Sequence, residues 1–279
     1  MLTGILIALA ATIGLALNHE LPGIGAGLLL HPGRRAMSAP APSACANATF
    51  EGAGVTLRGW RCPGAAPRRG TLVYLHGVGD NRAGAAGVVA RFGPSGFDVV
   101  AYDSRAHGAS GGDACTYGFY EKHDLARVLD TLPPGPVVLF GTSLGAAVAL
   151  QAAAVDARVS AVVAAETFSD LRTVVAERAP FVFKAGSFGR ALRLAERQGS
   201  FQIDDVSPVA AAPAITVPVF LAHGDADADT PPGHSRRVFA ALTASKHLEL
   251  VPGARHNGAL QPRVWDRIEQ WLDEVVPRP

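Results

Sequence analysis

The feature that most constrains this chain is Gly141-Thr142-Ser143-Leu144-Gly145, set between the apolar run Pro136-Val137-Val138-Leu139-Phe140 and the alanine-rich run Ala146 to Ala154. The order is strand, sharp turn, helix. A serine between glycines at this spacing fits a turn too tight for larger neighbours, with its hydroxyl thrust clear of a sheet and a helix N-terminus beneath it. The N–H groups and the positive end of the helix dipole there favour negative charge developing on a substrate oxygen. Ser143 therefore reads as a nucleophile. In a chain of 279 residues with 31 glycines the pentapeptide alone arises easily by chance; the strand before it and the helix after it give it weight. A serine hydroxyl attacks poorly unless a base takes its proton and a third group orients that base.

The rest of the chain supplies a frame for such partners. Short apolar runs at Gly70 to Leu75, Phe97 to Tyr102, Val159 to Ala164, Val217 to Ala222 and His247 to Val251 read as strands. Helical patterns at Ala83 to Phe92, Phe119 to Leu132 and Arg263 to Val276 lie among and after them. Buried strands alternating with helices imply an α/β fold, a doubly wound and mostly parallel sheet. Ligands bind such sheets beyond the C-terminal ends of the strands. Two late loops carry the polar candidates: His223-Gly224-Asp225-Ala226-Asp227-Ala228-Asp229, then Pro252-Gly253-Ala254-Arg255-His256-Asn257. An acid followed by a histidine completes the chain order serine, acid, histidine.

A formal charge of +1 gives no polyanion-binding signature, which argues against a nucleic-acid partner. Three cysteines are too few for a disulfide scaffold. With neither Cys-x-x-Cys nor His-Glu-x-x-His spacing, no zinc site is indicated. Asp225, Asp227 and Asp229 mimic the start of a calcium loop, but Thr230 stands where glycine is needed and Arg236 where the bidentate glutamate would be. No metal and no organic cofactor are expected.

Leu2 to Leu17 holds no charge and as a helix would be about 25 Å long, the short end of what crosses a bilayer. With no Lys or Arg before Arg34, residues 1–17 read as a membrane anchor rather than a cleaved signal, with a buried helix as the plainer alternative. Residues 18–47 read as linker, Pro- and Ala-rich from His31 to Ser43, and the domain runs from 48 to 279. Arg34 and Arg35 would keep that domain in the cytoplasm. The cysteines point the other way. Ala46 to Glu51 and Val55 to Cys62 read as an antiparallel hairpin around Gly52-Ala53-Gly54, which sets Cys45 opposite Cys62. A disulfide there would imply an oxidising compartment, and two free buried thiols are the more ordinary alternative.

On His76-Gly77, Asp103-Ser104-Arg105-Ala106-His107-Gly108, Gly141 to Gly145, His223 to Asp227 and His256-Asn257, residues 70 to 275 resemble the α/β-hydrolase superfamily. His76 to Arg82, Gly111 to Gly118 and Leu28 to Arg35 further resemble a membrane-associated bacterial branch related to the serine aminopeptidase-like hydrolases, with Gly33 where proline is more usual. The resemblance implies association with a bacterial inner membrane. It also assigns roles: Ser143 as nucleophile, His256 as base, and Asp227, third residue after the His-Gly pair, as the acid in preference to Asp225 or Asp229. The oxyanion would be held by the backbone N–H groups of Val78 and Leu144. His76, His107 and His223 read as structural braces.

Thr167 to Val206 is longer than one crossover helix needs and contains Leu171 to Arg178, Phe181-Val182-Phe183 and Arg190 to Gln198. It is expected to form a small helical lid, the alternative being helices that complete the core. The implied activity is ester hydrolysis through an acyl-enzyme, with a small-molecule acyl substrate and a membrane partner through the N-terminal segment. A peptidase acting on short peptides, acyl transfer and a non-catalytic binding scaffold stay open.

Overall fold

The computed structural model describes residues 19–37, 40–183 and 185–278. Eight strands form one sheet in the order β1-β2-β4-β3-β5-β6-β7-β8. They are β1 (Ala46–Glu51), β2 (Thr56–Cys62), β3 (Gly70–Leu75), β4 (Phe97–Tyr102), β5 (Val137–Thr142), β6 (Val159–Ala165), β7 (Val219–Gly224) and β8 (Lys246–Val251). From β4 to β8 all neighbours are parallel, while β1 pairs antiparallel with β2 and β2 with β4. The hairpin register Ala46↔Arg61 places Cys45 beside Cys62, and the two are joined in a disulfide.

Every residue of β3 is buried because the sheet is covered on both faces. Period-two alternation sends Val73, Leu75 and Leu139 into one core and Leu72, Tyr74 and Phe140 into the other. The first core packs against α3 (Glu121–Leu129), α4 (Leu144–Ala153), the short α7 (Pro208–Ala211) and α8 (Gly233–Ala241). The second packs against α2 (Ala86–Phe92) and α9 (Pro262–Val275). Helix α4 is buried along its whole length, and its alanines let it lie close on β5 and β6. Buried Arg69 fixes the last helix by donating to the Val276 carbonyl (2.6 Å) and pairing with Asp273 (2.6 Å).

Two elements depart from the sequence reading. Residues 19–30, expected to be linker, are helix α1, with Ala26, Leu29 and Leu30 buried in a third apolar cluster. Helix α8 was hidden behind Pro231-Pro232-Gly233, which reads as a breaker; proline is harmless there because N–H groups entering a helix have no intrahelical partner. The third cluster joins α1 to α5 (Leu171–Arg178) and α6 (Ala185–Gly199), so the 167–206 insertion and the N-terminal helix are packed together. Among the described residues no helix is long and apolar enough to cross a membrane. The anchor expected over 1–17 lies outside the described residues.

Motifs far apart in the sequence turn out to be one structural unit. Arg34 donates to the carbonyls of Ser110 and Gly112, His31 Nδ1 meets the Asp113 carbonyl at 2.6 Å, and Cys115 N–H reaches Leu30 O at 2.8 Å. Asn81 Nδ2 donates to the Arg35 and Ala36 carbonyls. The Leu28 to Arg35 stretch is thus clamped between the 76–82 and 111–118 loops. Arg34, read above as a topology signal, is committed to holding the fold.

Candidate active site

Ser143 stands at the C-terminal end of β5 with φ 49° and ψ −112°, a conformation a non-glycine residue adopts only under constraint. The neighbouring glycines supply that constraint. A Cβ on Gly141 would lie 2.2 Å from Gly145 O, and one on Gly145 would lie 2.0 Å from Leu75 O. Backbone therefore touches backbone at both positions. The Ser143 N–H is satisfied by Ala165 O at 2.8 Å, which ties the turn to β6.

The loops after β7 and β8 bring the two expected partners to this serine. His256 Nε2 lies 3.1 Å from Ser143 Oγ, and His256 Nδ1 lies 2.7 Å from Asp227 Oδ2. Asp227 has a fully buried side chain whose Oδ1 accepts from the N–H groups of Asp229 (2.9 Å) and Thr230 (2.8 Å). Burial works against its ionisation, but hydrogen bonds from His223, His256 and Thr230 prevail and hold its pKa well below the usual carboxylate range. An ionised acceptor requires a proton on Nδ1 of His256. Nε2 is then left to accept the Ser143 hydroxyl proton. Asp225, by contrast, is spent on the Gly253 N–H.

His76 has a definable tautomer. Its Nε2 accepts from the Ser104 N–H (2.9 Å), so Nδ1 carries the proton and donates to Gly77 O at 2.7 Å. That carbonyl shares a planar peptide with the Val78 N–H, which therefore points the opposite way, away from the His76 ring. Val78 and Leu144 both line the cavity that reaches Ser143. Burial, then the neighbouring His107, pushes the His76 pKa down to about 4. Neutral His76 is thus part of the folded state, and stability is fully present above the unfolded pKa near 6.5 and lost as pH falls toward 4. His107 and His234 shift down for the same first reason, burial. Urea unfolding should show a loss of about 2 kcal/mol or more between pH 7.5 and pH 5. A flat profile over that interval would contradict this.

Two cavities meet at Ser143. One, of about 340 Å³, is apolar and is lined by Leu29 of α1, Tyr117, Phe168, Val174 and Val175 of α5, Phe183, and Phe188 and Leu192 of α6. The other, of about 450 Å³, is polar and carries Arg35, Asp80, Asp229, His256 and Asn257. Val78, Ser143 and Arg178 belong to both. The 167–206 insertion roofs the apolar side, and Arg178 ties that roof to the acid loop by donating to Asp229 O (2.6 Å) and to Thr230.

The comparisons with known proteins agree with this architecture. A family model described as alpha/beta hydrolase fold matches residues 70–185. An esterase of Pyrococcus furiosus, Pf2001, superposes with a TM-score of 0.71 at 22% identity, over 89% of this chain and 98% of that one. The chain has the α/β-hydrolase fold. An acylaminoacyl peptidase of Pyrococcus horikoshii shares it, with a TM-score of 0.65 at 12% identity over 84% of this chain and 42% of that one. In sequence, the chain is 29% identical over 197 residues to the uncharacterized protein YqkD of Bacillus subtilis. That match takes in 67% of this chain and 64% of YqkD, just under two thirds of its length.

Within this hydrolase fold, several site residues escaped the sequence reading. Glu166 is buried at φ 58° directly after β6, and its carboxylate accepts from the N–H groups of Asn257 (2.7 Å) and Ala259 (2.8 Å), fixing the loop that carries His256. A carboxylate ending the apolar run Val159 to Ala165 was its only signal. Tyr117, Arg178 and the α1 residues Gly25, Leu28 and Leu29 border the cavity from segments that no local pattern links to Ser143.

Proposed function

We propose that this protein is a serine hydrolase that cleaves an ester of an apolar acyl group through an acyl-enzyme. The observation that carries the reading is the hydrogen-bonded series Ser143, His256, Asp227, placed where an apolar cavity meets a polar cleft. Ser143 Oγ attacks the ester carbonyl carbon as its proton passes to His256 Nε2. The oxyanion so formed accepts from the Val78 and Leu144 N–H groups. Collapse breaks the bond to the alcohol, which leaves through the polar cleft with the proton from His256. Water then repeats the sequence and frees the acid. Asp227, ionised throughout, stabilises the transient imidazolium.

The apolar cavity favours the acyl side of the ester. Its 340 Å³ is near the lower end for small-molecule sites, which favours short to medium chains. Each buried methylene contributes about 0.8 kcal/mol, so kcat/KM over a series of p-nitrophenyl esters should rise about fourfold per carbon until the cavity is full. Val175→Phe, at a half-buried position on the roof, should lower that limiting length and leave acetyl ester turnover near wild type. An unchanged length profile would remove the cavity from the account. Faster cleavage of aminoacyl amides than of any ester would instead favour a peptidase.

A further inference from the structure

Among the described residues five large apolar side chains are exposed: Ile24 (52%), Leu28 (71%), Val155 (74%), Phe181 (96%) and Val182 (45%). Four of the five sit at one place. Ile24 and Leu28 lie one turn apart on α1, and a Cβ on Gly25 between them would meet the Phe183 ring at 2.8 Å. Leu28, Gly25 and Phe183 line the apolar cavity, and Ile24, Phe181 and Val182 adjoin those lining residues in the chain, which puts the four exposed side chains beside its mouth. A contiguous exposed apolar patch around a cavity mouth marks an interaction surface rather than ordinary surface scatter.

Two further observations say what covers it. Helix α6 begins two residues beyond Phe183 and exposes Arg193 and Arg197 along its outer face, while the Glu196 carboxylate is turned onto the Ile203 N–H at 3.2 Å. Apolar side chains beside exposed arginines on an amphipathic helix fit a lipid interface with anionic headgroups. The chain preceding α1, Leu2 to Leu17, is wholly uncharged and leads directly into the helix that carries Ile24 and Leu28. We propose that this rim docks on an anionic lipid surface, so that the apolar cavity opens toward the acyl-chain region and receives an ester presented in the bilayer. This rests on the ester-hydrolase reading for its substrate, and on the rim alone for its surface.

The docking is tested without reference to activity. Cys45 and Cys62 are bonded and Cys115 is buried, so a cysteine placed at Phe181 is the accessible thiol among the described residues. Full-length Phe181→Cys carrying an environment-sensitive fluorophore should shift to the blue with phosphatidylglycerol vesicles. The same label on Val155→Cys should stay unshifted, because Val155 lies just before β6, at the opposite end of the strands from Ser143. No shift at 181, or equal shifts at both positions, overturns the proposal; an equal shift with purely phosphatidylcholine vesicles overturns the role of the arginines. In a second arm, Ile24→Ser with Phe181→Ser should cut hydrolysis of a vesicle-embedded ester about tenfold or more and leave a dissolved short ester unaffected. Equal rates on the embedded ester would overturn bilayer delivery. Absence of turnover on the dissolved ester by wild type would instead count against the hydrolase reading, leaving the fluorescence result standing.

Discussion

Ser143→Ala and His256→Ala should each lower kcat on a dissolved ester by on the order of 10⁵-fold, and the double variant should be no slower than either single one. The reason is geometric. With Nε2 3.1 Å from Oγ, the proposed mechanism has the two groups transfer one proton in one step, so neither should contribute without the other. The activity that survives should come from the Val78 and Leu144 N–H groups and from binding, which neither substitution touches. Asp227→Asn should lose somewhat less, about 10⁴-fold as for the acid of a serine protease triad, because it leaves the ring in place and removes the charge that sets its tautomer. Additive losses in the double variant would mean that Ser143 and His256 do not act as a pair.

Gly145→Ala should be the most destabilising single methyl in the protein. Its Cβ would stand 2.0 Å from the Leu75 carbonyl oxygen and 2.4 Å from the carbon, both backbone atoms of a central strand. Neither can rotate away, so α4 and β3 must separate and the Ser143 turn with them. A cost above about 4 kcal/mol is expected, enough to remove most of the stability of an ordinary domain. Gly87 on α2 is the control: nothing lies within 4 Å of its would-be Cβ, and Gly87→Ala should stabilise by about 0.5–1 kcal/mol through helix propensity. Urea midpoints or soluble yields of the pair measure the contrast. Similar stabilities would show that the turn has room the structure does not give it.

The strands and the Ser143 turn were legible because they obey local rules. A fully buried strand must be apolar, and a turn pressed between β3 and α4 must be flanked by glycine. The hairpin was legible for the same kind of reason: counting outward from Gly52-Ala53-Gly54 sets Cys45 against Cys62, where the disulfide is found. Residues 19–30 were not, because the Pro-rich stretch after them reads as linker and what makes the helix useful is its partner α6, more than 150 residues away. Glu166 was missed because one carboxylate at a strand end looks like any surface acid until Asn257 and Ala259 fold onto it. Arg34 has a structural role that its place next to an apolar run does not disclose, since its guanidinium is bound to three carbonyls. Glu166 acts through contacts distant in sequence and leaves no period and no motif of its own.

Whether Ser143 is an activated nucleophile decides everything else said of the site, and labelling of the purified full-length protein with a fluorophosphonate tests it most directly. One covalent adduct is expected at Ser143, absent in Ser143→Ala and strongly slowed in His256→Ala. Folded protein that stays unlabelled, or that labels equally well after Ser143→Ala, would contradict it.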